Sequence, residues 1–323
     1  GARLLAEAQR AGLSTVGVAM RAPWDLRAIA MLCRLIRERR IGLVHTHSSI
    51  DAWVAGIAAR SLGVPVVRSR HVSIAIPRRR ALVYRLADRI ITSGEAVATI
   101  VRGAGMPADR VVAIGPGLDT ARFHPTVSGA GVRAELGLRG PAVGLVANIR
   151  GSKGHSYFLE AARVVLRTRP DTTFLIVGDG IGFDDVRRRV KEMDLDSHVI
   201  MTGFRRDVPE IMAALDVLVL PSIKSEAMSQ VIPQALAVGT PVVGTRVGGT
   251  PELIRDGETG RLVPPADAPA LAAAILDLLR DSARARALAR RGQAIVLAEH
   301  SIDATMARTL EVYEAARAAR ARS

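Results

Sequence analysis

The chain has 323 residues, of which 49% are apolar and 3% aromatic, and its formal net charge is +14. This length predicts two domains with a cleft between them, and the aliphatic composition is typical of helix-covered parallel sheets. No run reaches the roughly 18 uninterrupted apolar residues of a membrane span, the start lacks a signal pattern, and the single cysteine excludes an intrachain disulfide, so we expect a soluble, cytoplasmic chain.

The first half of the chain alternates short β-branched runs with longer helical stretches, as parallel α/β sheets do. The predicted strands are STVGVAM, IGLVHTH, VPVVRSRH, RIITSG and VVAIGPG. The predicted helices are DLRAIAMLCRLIRERR, SSIDAWVAGIAARSLG, RRRALVYRLAD and EAVATIVRGAG. The chain starts in a helical run, whereas a doubly wound domain normally begins with a central strand. We therefore expect that first strand and its glycine turn to be absent from this chain.

A segment rich in Gly and turn residues, LDTARFHPTVSGAGVRAELGLRG, marks the predicted domain boundary. We expect a first Rossmann-like domain over 1–125, a second Rossmann-like domain over 126–300, and a terminal helix over 301–323 that packs back on the first domain. The strands predicted for the second domain are AVGLVANI, TTFLIVGDG, HVIMTGF, DVLVLPS and TPVVGTRV.

Positive charge is concentrated in the first half. The segment from Arg21 to Arg110 contains 16 Arg and 6 Asp or Glu, which leaves +10. Such a surface is attracted to an anionic membrane by about 1 kcal/mol per charge, and the alternative is a solvated basic face. Because no recognition motif or interleaved aromatic residues accompany the charge, we predict no nucleic-acid partner.

Polar residues that follow strands are the candidate site residues, because ligands of open α/β sheets bind beyond the carboxyl ends of the strands. Arg150 and Lys153 follow AVGLVANI, and a guanidinium fork with an ammonium suits a diphosphate. Glu226 follows DVLVLPS, and a helix predicted to start near Ser229 would direct free N–H groups at an anion. Gln234 lies along that helix, far enough from Glu226 for one side chain to contact a sugar and the other a ribose.

Two further groups of residues have simpler interpretations. His45 and His47 stand at the end of a first-domain strand, on one face, and with Asp51 could be drawn as a metal site. No three-ligand geometry supports that drawing, so we predict no metal and assign the histidines to acceptor contact. Asp207 and Glu210 fit a helix capping box.

The order of the motifs along the chain resembles that of a known enzyme family. The chain resembles glycosyltransferase family 4, the retaining GT-B enzymes of group 1 type, from Gly1 to about Tyr313. The resemblance implies an α/β GT-B fold: two doubly wound Rossmann-like domains with an interdomain cleft and C-terminal helices. It is carried by ANIRGSKGHSYFLEAA, FLIVGDG, VIMTGFRRDVPEIMAALDVLVLPSIKSEAMSQVIPQALAVGTPVVGTRVGGTPELI, DGETGRLVPP and GPGLDTARFHP.

The resemblance also implies roles for individual residues. A diphosphate would be held by the two cations, the transferred sugar by the acid, and the base by the loop that contains Phe204. The implied donor-binding residues are Arg150, Lys153, Gly203, Phe204, Arg205, Glu226, Met228, Ser229 and Gln234. The implied catalytic residues are Glu226, His71, Arg150 and Lys153.

The resemblance also bears on Gln234, His71 and Glu95. The family's usual pair is two glutamates separated by seven residues, and Gln234 replaces the second. An amide has one accepting oxygen, so we expect a weaker hold on the ribose or a different nucleotide. His71 matches a histidine close to the reacting sugar in relatives, and the alternative is a buried structural histidine. Glu95 resembles the family's Ser-Glu turn and either contacts the acceptor or starts the next helix.

The function implied by the resemblance is metal-independent, retaining transfer of a hexose-type sugar from a nucleotide-diphosphate-sugar to a lipid-linked or cell-surface glycan. The donor is a substrate, and no cofactor is predicted. We expect transfer at the inner face of the plasma membrane, with an anionic membrane surface as a further partner. The alternatives are a GT-B epimerase or hydrolase that needs no acceptor, and an inactive chain that only binds anionic membranes or nucleotides.

Overall fold

The computed structural model describes residues 2–321, apart from the side chains of residues 2–4 and 78. Within these residues the chain forms two parallel sheets flanked by helices. The strands are β1 (Val44–Thr46), β2 (Val66–Arg70), β3 (Arg89–Thr92), β4 (Val111–Ala113), β5 (Ala142–Val146), β6 (Thr173–Val177), β7 (Val199–Gly203), β8 (Val217–Leu220), β9 (Val242–Thr245) and β10 (Arg261–Val263).

Helices precede, separate and follow these strands. The α-helices are α1 (Ala2–Arg10), α2 (Leu26–Glu38), α3 (Ser49–Ser61), α4 (Arg78–Ala81), α5 (Glu95–Gly103), α6 (Ala130–Glu135), α7 (His155–Thr168), α8 (Phe183–Glu192), α9 (Val208–Ala214), α10 (Val231–Ala237), α11 (Thr250–Leu253), α12 (Ala268–Arg280), α13 (Ser282–Glu299) and α14 (Ile302–Ala321). Short 3-10 helices cover Leu82–Leu86, Ala108–Arg110 and Gly151–Lys153. None of the helices within residues 2–321 combines the length and apolar character of a bilayer span.

The two sheets differ in strand order. The first runs β1-β2-β3-β4, and the second runs β10-β9-β8-β5-β6-β7. The second order is that of a doubly wound Rossmann sheet, in which the order of the parallel strands reverses between two central strands, here β5 and β8. The predicted α/β class with parallel sheets is confirmed.

The second sheet is buried on both faces. Along β6, Phe174 and Ile176 pack into one core, while Leu175 and Val177 pack into the core on the opposite face. Alternate residues of a strand point to opposite faces, so a strand covered on both sides reads as an uninterrupted apolar run. Helix α12 packs beside α7 on one face, and α13 packs against α10 on the other.

The terminal helix lies on the first sheet. Val312 and Ala316 of α14 are buried against Val67, Ile91 and Ile114. The last helix therefore covers one face of the first sheet, and the tail of the chain contacts both halves of the molecule.

One predicted strand is wrong, and one strand of the structure was not predicted. Residues 14–20, the predicted strand STVGVAM, are described by the structure but form no strand, because their side chains are mostly exposed and no neighbouring strand pairs with them. Strand β10 was not predicted, since three residues at a sheet edge carry too little periodicity to be recognised. The helix expected near Ser229 begins at Val231.

Candidate functional site

An ion pair lies at the reversal point of the second sheet. The Nζ atom of Lys153, in the loop after β5, is 2.6 Å from Oε2 of Glu226, in the loop after β8. Both side chains are mostly buried, with 14% and 8% of their surface exposed. The hydroxyl of Ser222 donates to the same carboxylate oxygen at 2.7 Å. Because ligands of doubly wound sheets bind where the strand order reverses, this pair stands where the fold predicts a site.

Close backbone packing holds the two loops together. Gly154 adopts a left-handed conformation with φ of 72°, and a Cβ atom there would overlap the carbonyl oxygen of Pro221. The N–H of Ile223 donates to the carbonyl of Ser152 at 3.0 Å. Only glycine combines this backbone angle with so near an approach, so Gly154 fixes the position of Lys153 beside the loop that contains Glu226.

Arg150 stands one 3-10 turn before Lys153, whose N–H donates to its carbonyl at 3.0 Å. Its guanidinium is exposed and makes no hydrogen bond or ion pair with the described residues. The loop after β5 thus offers one paired, buried cation and one free, exposed cation. A diphosphate that competes for Lys153 would release the carboxylate of Glu226 to accept hydrogen bonds from sugar hydroxyls.

A cavity of about 780 Å³ opens at the carboxyl ends of β5, β6 and β7. Its walls include Asn148, Asp179, Phe204 and Gln234. The ring of Phe204 is 68% exposed, and the side-chain amide of Gln234 has no hydrogen-bond partner in the described part of the chain. The cavity therefore offers an apolar ring surface and free polar groups, which is the usual composition of a small-molecule pocket.

Arg205 also lines the cavity, but its charge is already neutralised. It donates to Glu135 at 2.8 Å and to Asp207 at 2.6 Å, and these carboxylates raise its pKa. Arg205 therefore shapes the wall and is not free to bind a phosphate. The predicted capping bond of Asp207 is wrong, since this carboxylate faces Arg205 and leaves the first turn of α9 without a side-chain cap.

Met228 and Ser229 precede α10. Ser229 is buried, and the Cε atom of Met228 reaches the first domain, where a Cβ on Gly94 would come within 2.6 Å of it. Since the helix begins at Val231, Ser229 lies in the loop before it. The loop that contains Glu226 therefore spans the cleft between the two sheets.

The histidines cluster at the carboxyl ends of β1 and β2. His45 contacts the hydroxyl of Tyr313 at 2.7 Å and that of Ser69 at 2.8 Å, and Nδ1 of His47 is 3.2 Å from Nε2 of His71. Burial, with smaller effects of the two neighbouring rings, lowers the pKa of His45 to about 4. Desolvation and His47 lower the pKa of His71. Within residues 2–321 no group of three His, Cys, Asp or Glu side chains is placed to hold a metal ion.

Glu95 is the first residue of α5, and its carboxylate pairs with Arg102 of the same helix. Its backbone N–H instead faces the other domain: Glu95 and Ala96 donate to the two carboxylate oxygens of Glu252 at 2.7 and 2.8 Å. Glu252 was not among the predicted residues. Its carboxylate occupies the N-terminus of α5, where the helix dipole favours negative charge, and joins the two domains.

The predicted residues thus form two groups on either side of the cleft. The donor-side residues share the carboxyl edge of the second sheet, while the histidines lie on the first. Sequence reasoning missed Asn148, Asp179 and Ser222. The motif FLIVGDG could have located Asp179, because two glycines around one residue at the end of a strand indicate close backbone packing. In the structure these glycines have φ of 133° and 155° and pack on the loop after β5.

Comparison with known proteins decides the family. A model described as glycosyl transferases group 1 matches residues 140–281, and one described as glycosyltransferase family 4 matches residues 3–122. A D-inositol 3-phosphate glycosyltransferase from Streptomyces scabiei is 31% identical over 312 residues, which are 87% of this chain and 69% of that protein. The chain belongs to glycosyltransferase family 4.

Another relative of this family 4 chain is the Escherichia coli UDP-Gal:α-D-GlcNAc-diphosphoundecaprenol α-1,3-galactosyltransferase. It is 28% identical over 258 residues, which are 74% of this chain and 66% of that enzyme. Among solved structures, Anabaena HepE in complex with UDP superposes with a TM-score of 0.88 at 22% identity, covering 96% of this chain and 88% of that one. This likeness confirms the GT-B fold.

Proposed function

We propose that this chain transfers a hexose-type sugar from a nucleotide-diphosphate-sugar to a lipid-linked or cell-surface glycan, with retention of anomeric configuration and without a metal. The observation that carries the proposal is the Lys153–Glu226 pair at the reversal point of the second sheet, beside the 780 Å³ cavity. The cation suits the donor diphosphate, the acid suits the sugar hydroxyls, and the cavity suits the nucleoside.

The reaction needs stabilisation of the departing diphosphate while positive charge builds on the sugar ring. We assign this stabilisation to Lys153 and Arg150, which are fixed in place before the reaction and so stabilise charge without rearrangement. Attack by the acceptor hydroxyl occurs on the face that the diphosphate leaves. His71 and His47, at the opposite edge of the cleft, orient the donor sugar and the incoming acceptor by hydrogen bonds.

The acceptor side of the proposal draws on the relatives and on surface composition. The Escherichia coli relative is named for a diphosphoundecaprenol acceptor, and a Mycolicibacterium smegmatis relative, 30% identical over 278 residues, for a phosphatidylinositol monomannoside. In this chain Trp24 and Leu26 are 75% and 77% exposed on the basic first domain. Apolar rings and chains among arginines suit the headgroup region of an anionic membrane, so we place the enzyme at the inner membrane face.

A screen of nucleotide-sugars tests the proposal. Thermal unfolding with UDP-, GDP-, ADP- and TDP-sugars identifies the donor, since a ligand that binds only the folded state raises the unfolding temperature. Product analysis by NMR, with and without a lipid-linked acceptor, then separates transfer from hydrolysis and epimerisation. An α-linked product from an α-linked donor, formed equally well with a chelator present, is the expected result. Inversion, loss of turnover with the chelator, or turnover without acceptor would contradict it.

A further inference from the structure

A second cavity, of about 420 Å³, lies at the carboxyl edge of the first sheet. The end of β2, the start of α3, the segment after β2 and the 3-10 helix Leu82–Leu86 form it. Residues of the first domain alone line it, so it is separate from the donor cavity. Its charged and aromatic walls include Trp53, Arg68, Arg70 and Tyr84.

Arg68 is a buried cation that forms no ion pair with the described residues, although Asp51 acts on it at longer range. It is 5% exposed, and its guanidinium carbon lies 4.1 Å above the ring centroid of Tyr84. Its Nε and Nη1 atoms are buried and have no hydrogen-bond partner, and no carboxylate of the described residues pairs with it. Burial lowers the pKa of Arg68, yet an arginine stays charged in proteins. A buried charge of this kind is unfavourable unless an anion pairs with it.

Arg70 stands two residues along the same strand and therefore on the same face. Its Nη1 donates to the hydroxyl of Tyr84 at 2.6 Å, and its Nη2 donates to the carbonyl of Ile74. Its Nε atom is buried without a partner. The two guanidiniums are thus held in place by one tyrosine and keep free N–H donors, an arrangement that suits bidentate recognition of phosphate oxygens.

The mouth of this cavity is apolar. Ile50, Val72 and Ile74 line it, and they are 39%, 49% and 64% exposed. A free inorganic anion would gain nothing from these side chains. An anion that carries a hydrocarbon chain would bury them, which is favourable because apolar surface is removed from water.

We propose that this cavity binds the phosphate or diphosphate group of a lipid-linked acceptor, with Arg68 and Arg70 on the phosphate oxygens and the hydrocarbon chain along Ile50, Val72 and Ile74. The assignment rests on the proposed function, because it names the acceptor of that reaction. His71 follows Arg70 directly, so this cavity and the cluster of His45, His47 and His71 lie at the same end of β2.

Equilibrium binding to the full chain tests this assignment without turnover. Decyl phosphate is the probe, and inorganic phosphate and decanol carry its two chemical halves separately. Decyl phosphate should bind more tightly than either half. Arg68→Gln and Arg70→Gln should each weaken it by about 10-fold or more, since each removes charge-assisted hydrogen bonds. Arg85→Gln is the matched control, because Arg85 is exposed on the same 3-10 helix as Tyr84.

Equal affinity of Arg68→Gln, Arg85→Gln and the unaltered chain for decyl phosphate would overturn the assignment, as would no binding by the unaltered chain. Should Arg68→Gln fail to fold by circular dichroism, Arg70→Gln provides the comparison. If inorganic phosphate bound as tightly as decyl phosphate, the conclusion that the phosphate comes from a lipid-linked acceptor would be overturned. Binding of the nucleotide-sugar that the screen identifies should be unchanged in all variants. If the unaltered chain bound decyl phosphate but none of the screened nucleotide-sugars, the proposed function would fail and the phosphate cavity would stand.

Discussion

Lys153 and Glu226 carry most of the chemistry proposed for this chain, and they do so as a buried pair. Removing one partner of a buried pair leaves the other charge uncompensated, which is strongly unfavourable. Under the proposed function each charge would gain a new partner: the donor diphosphate would replace the carboxylate at Lys153, and sugar hydroxyls would replace the ammonium at Glu226. Both partners lie in loops, and glycines position those loops.

Lys153→Met should lower turnover by about 100-fold or more, as removal of one preorganised group that stabilises developing charge does. It should also weaken nucleotide-sugar binding. Steady-state kinetics with the donor identified by the screen measures both. Lys191→Met is the control, because Lys191 is exposed on α8. Equal turnover of the two variants would remove Lys153 from the site.

The half-buried His45 and the buried His155 predict how stability depends on pH. Burial lowers the pKa of His45 and of His155 from 6.5 to about 4. Between pH 6.5 and about 4 the unfolded chain therefore binds more protons than the folded chain, so the free energy of unfolding falls as the pH falls through this window. Above pH 6.5 both rings are neutral in either state, and their contribution is constant.

Calorimetric unfolding at pH 7.5, 6 and 5 checks this dependence. The substitution His155→Leu removes one titrating ring, whose Nε2 has no hydrogen-bond partner in the structure. The unfolding temperature of this variant should fall less between pH 6.5 and 5 than that of the unaltered chain. Parallel pH profiles for the two proteins would show that His155 titrates normally.

At the scale of elements, pattern reasoning succeeded where a strand is long and covered on both faces. Strands β5 to β9 read as continuous apolar runs, and the chemistry-bearing loops follow them. The segment STVGVAM is also rich in apolar residues, but such a pattern does not say whether a partner strand exists. Asp207 has the spacing of a cap, but Arg205 two residues earlier competes for its carboxylate. Which partner a carboxylate takes depends on the folded structure, so the spacing of residues in the sequence does not predict it.

The 3-10 turn before α7 gives a prediction at this scale. Gly154→Ala places a Cβ against the carbonyl of Pro221 at a φ of 72°. It should lower the free energy of unfolding by more than the roughly 1–2 kcal/mol that left-handed backbone alone costs, and it should weaken donor binding by moving Lys153. Chemical denaturation measures the first effect. Gly151→Ala is the matched control, because a Cβ there has open space; equal losses for both variants would mean that the contact with Pro221 does not position the loop.

At the scale of the whole molecule, Glu252 joins the domains through the N-terminus of α5. Neither its partner helix nor its distance could be inferred from sequence, since 156 residues separate Glu252 from Ala96. We expect Glu252→Ala to open the cleft and enlarge the radius of gyration measured by small-angle X-ray scattering. Glu258→Ala, which alters an exposed acid of the same domain, should leave it unchanged. Identical scattering from both variants would mean that this contact does not hold the domains closed.

We propose that the second domain binds a donor diphosphate at the reversal point of its sheet. The decisive measurement is a crystal structure of the full chain with the nucleoside diphosphate of the donor that the screen identifies. We expect its base in the cavity between Phe204 and Asp179, with the diphosphate in contact with Lys153 and Arg150. A diphosphate seated in the first domain, on Arg68 and Arg70, with the second-domain cavity empty, would contradict it.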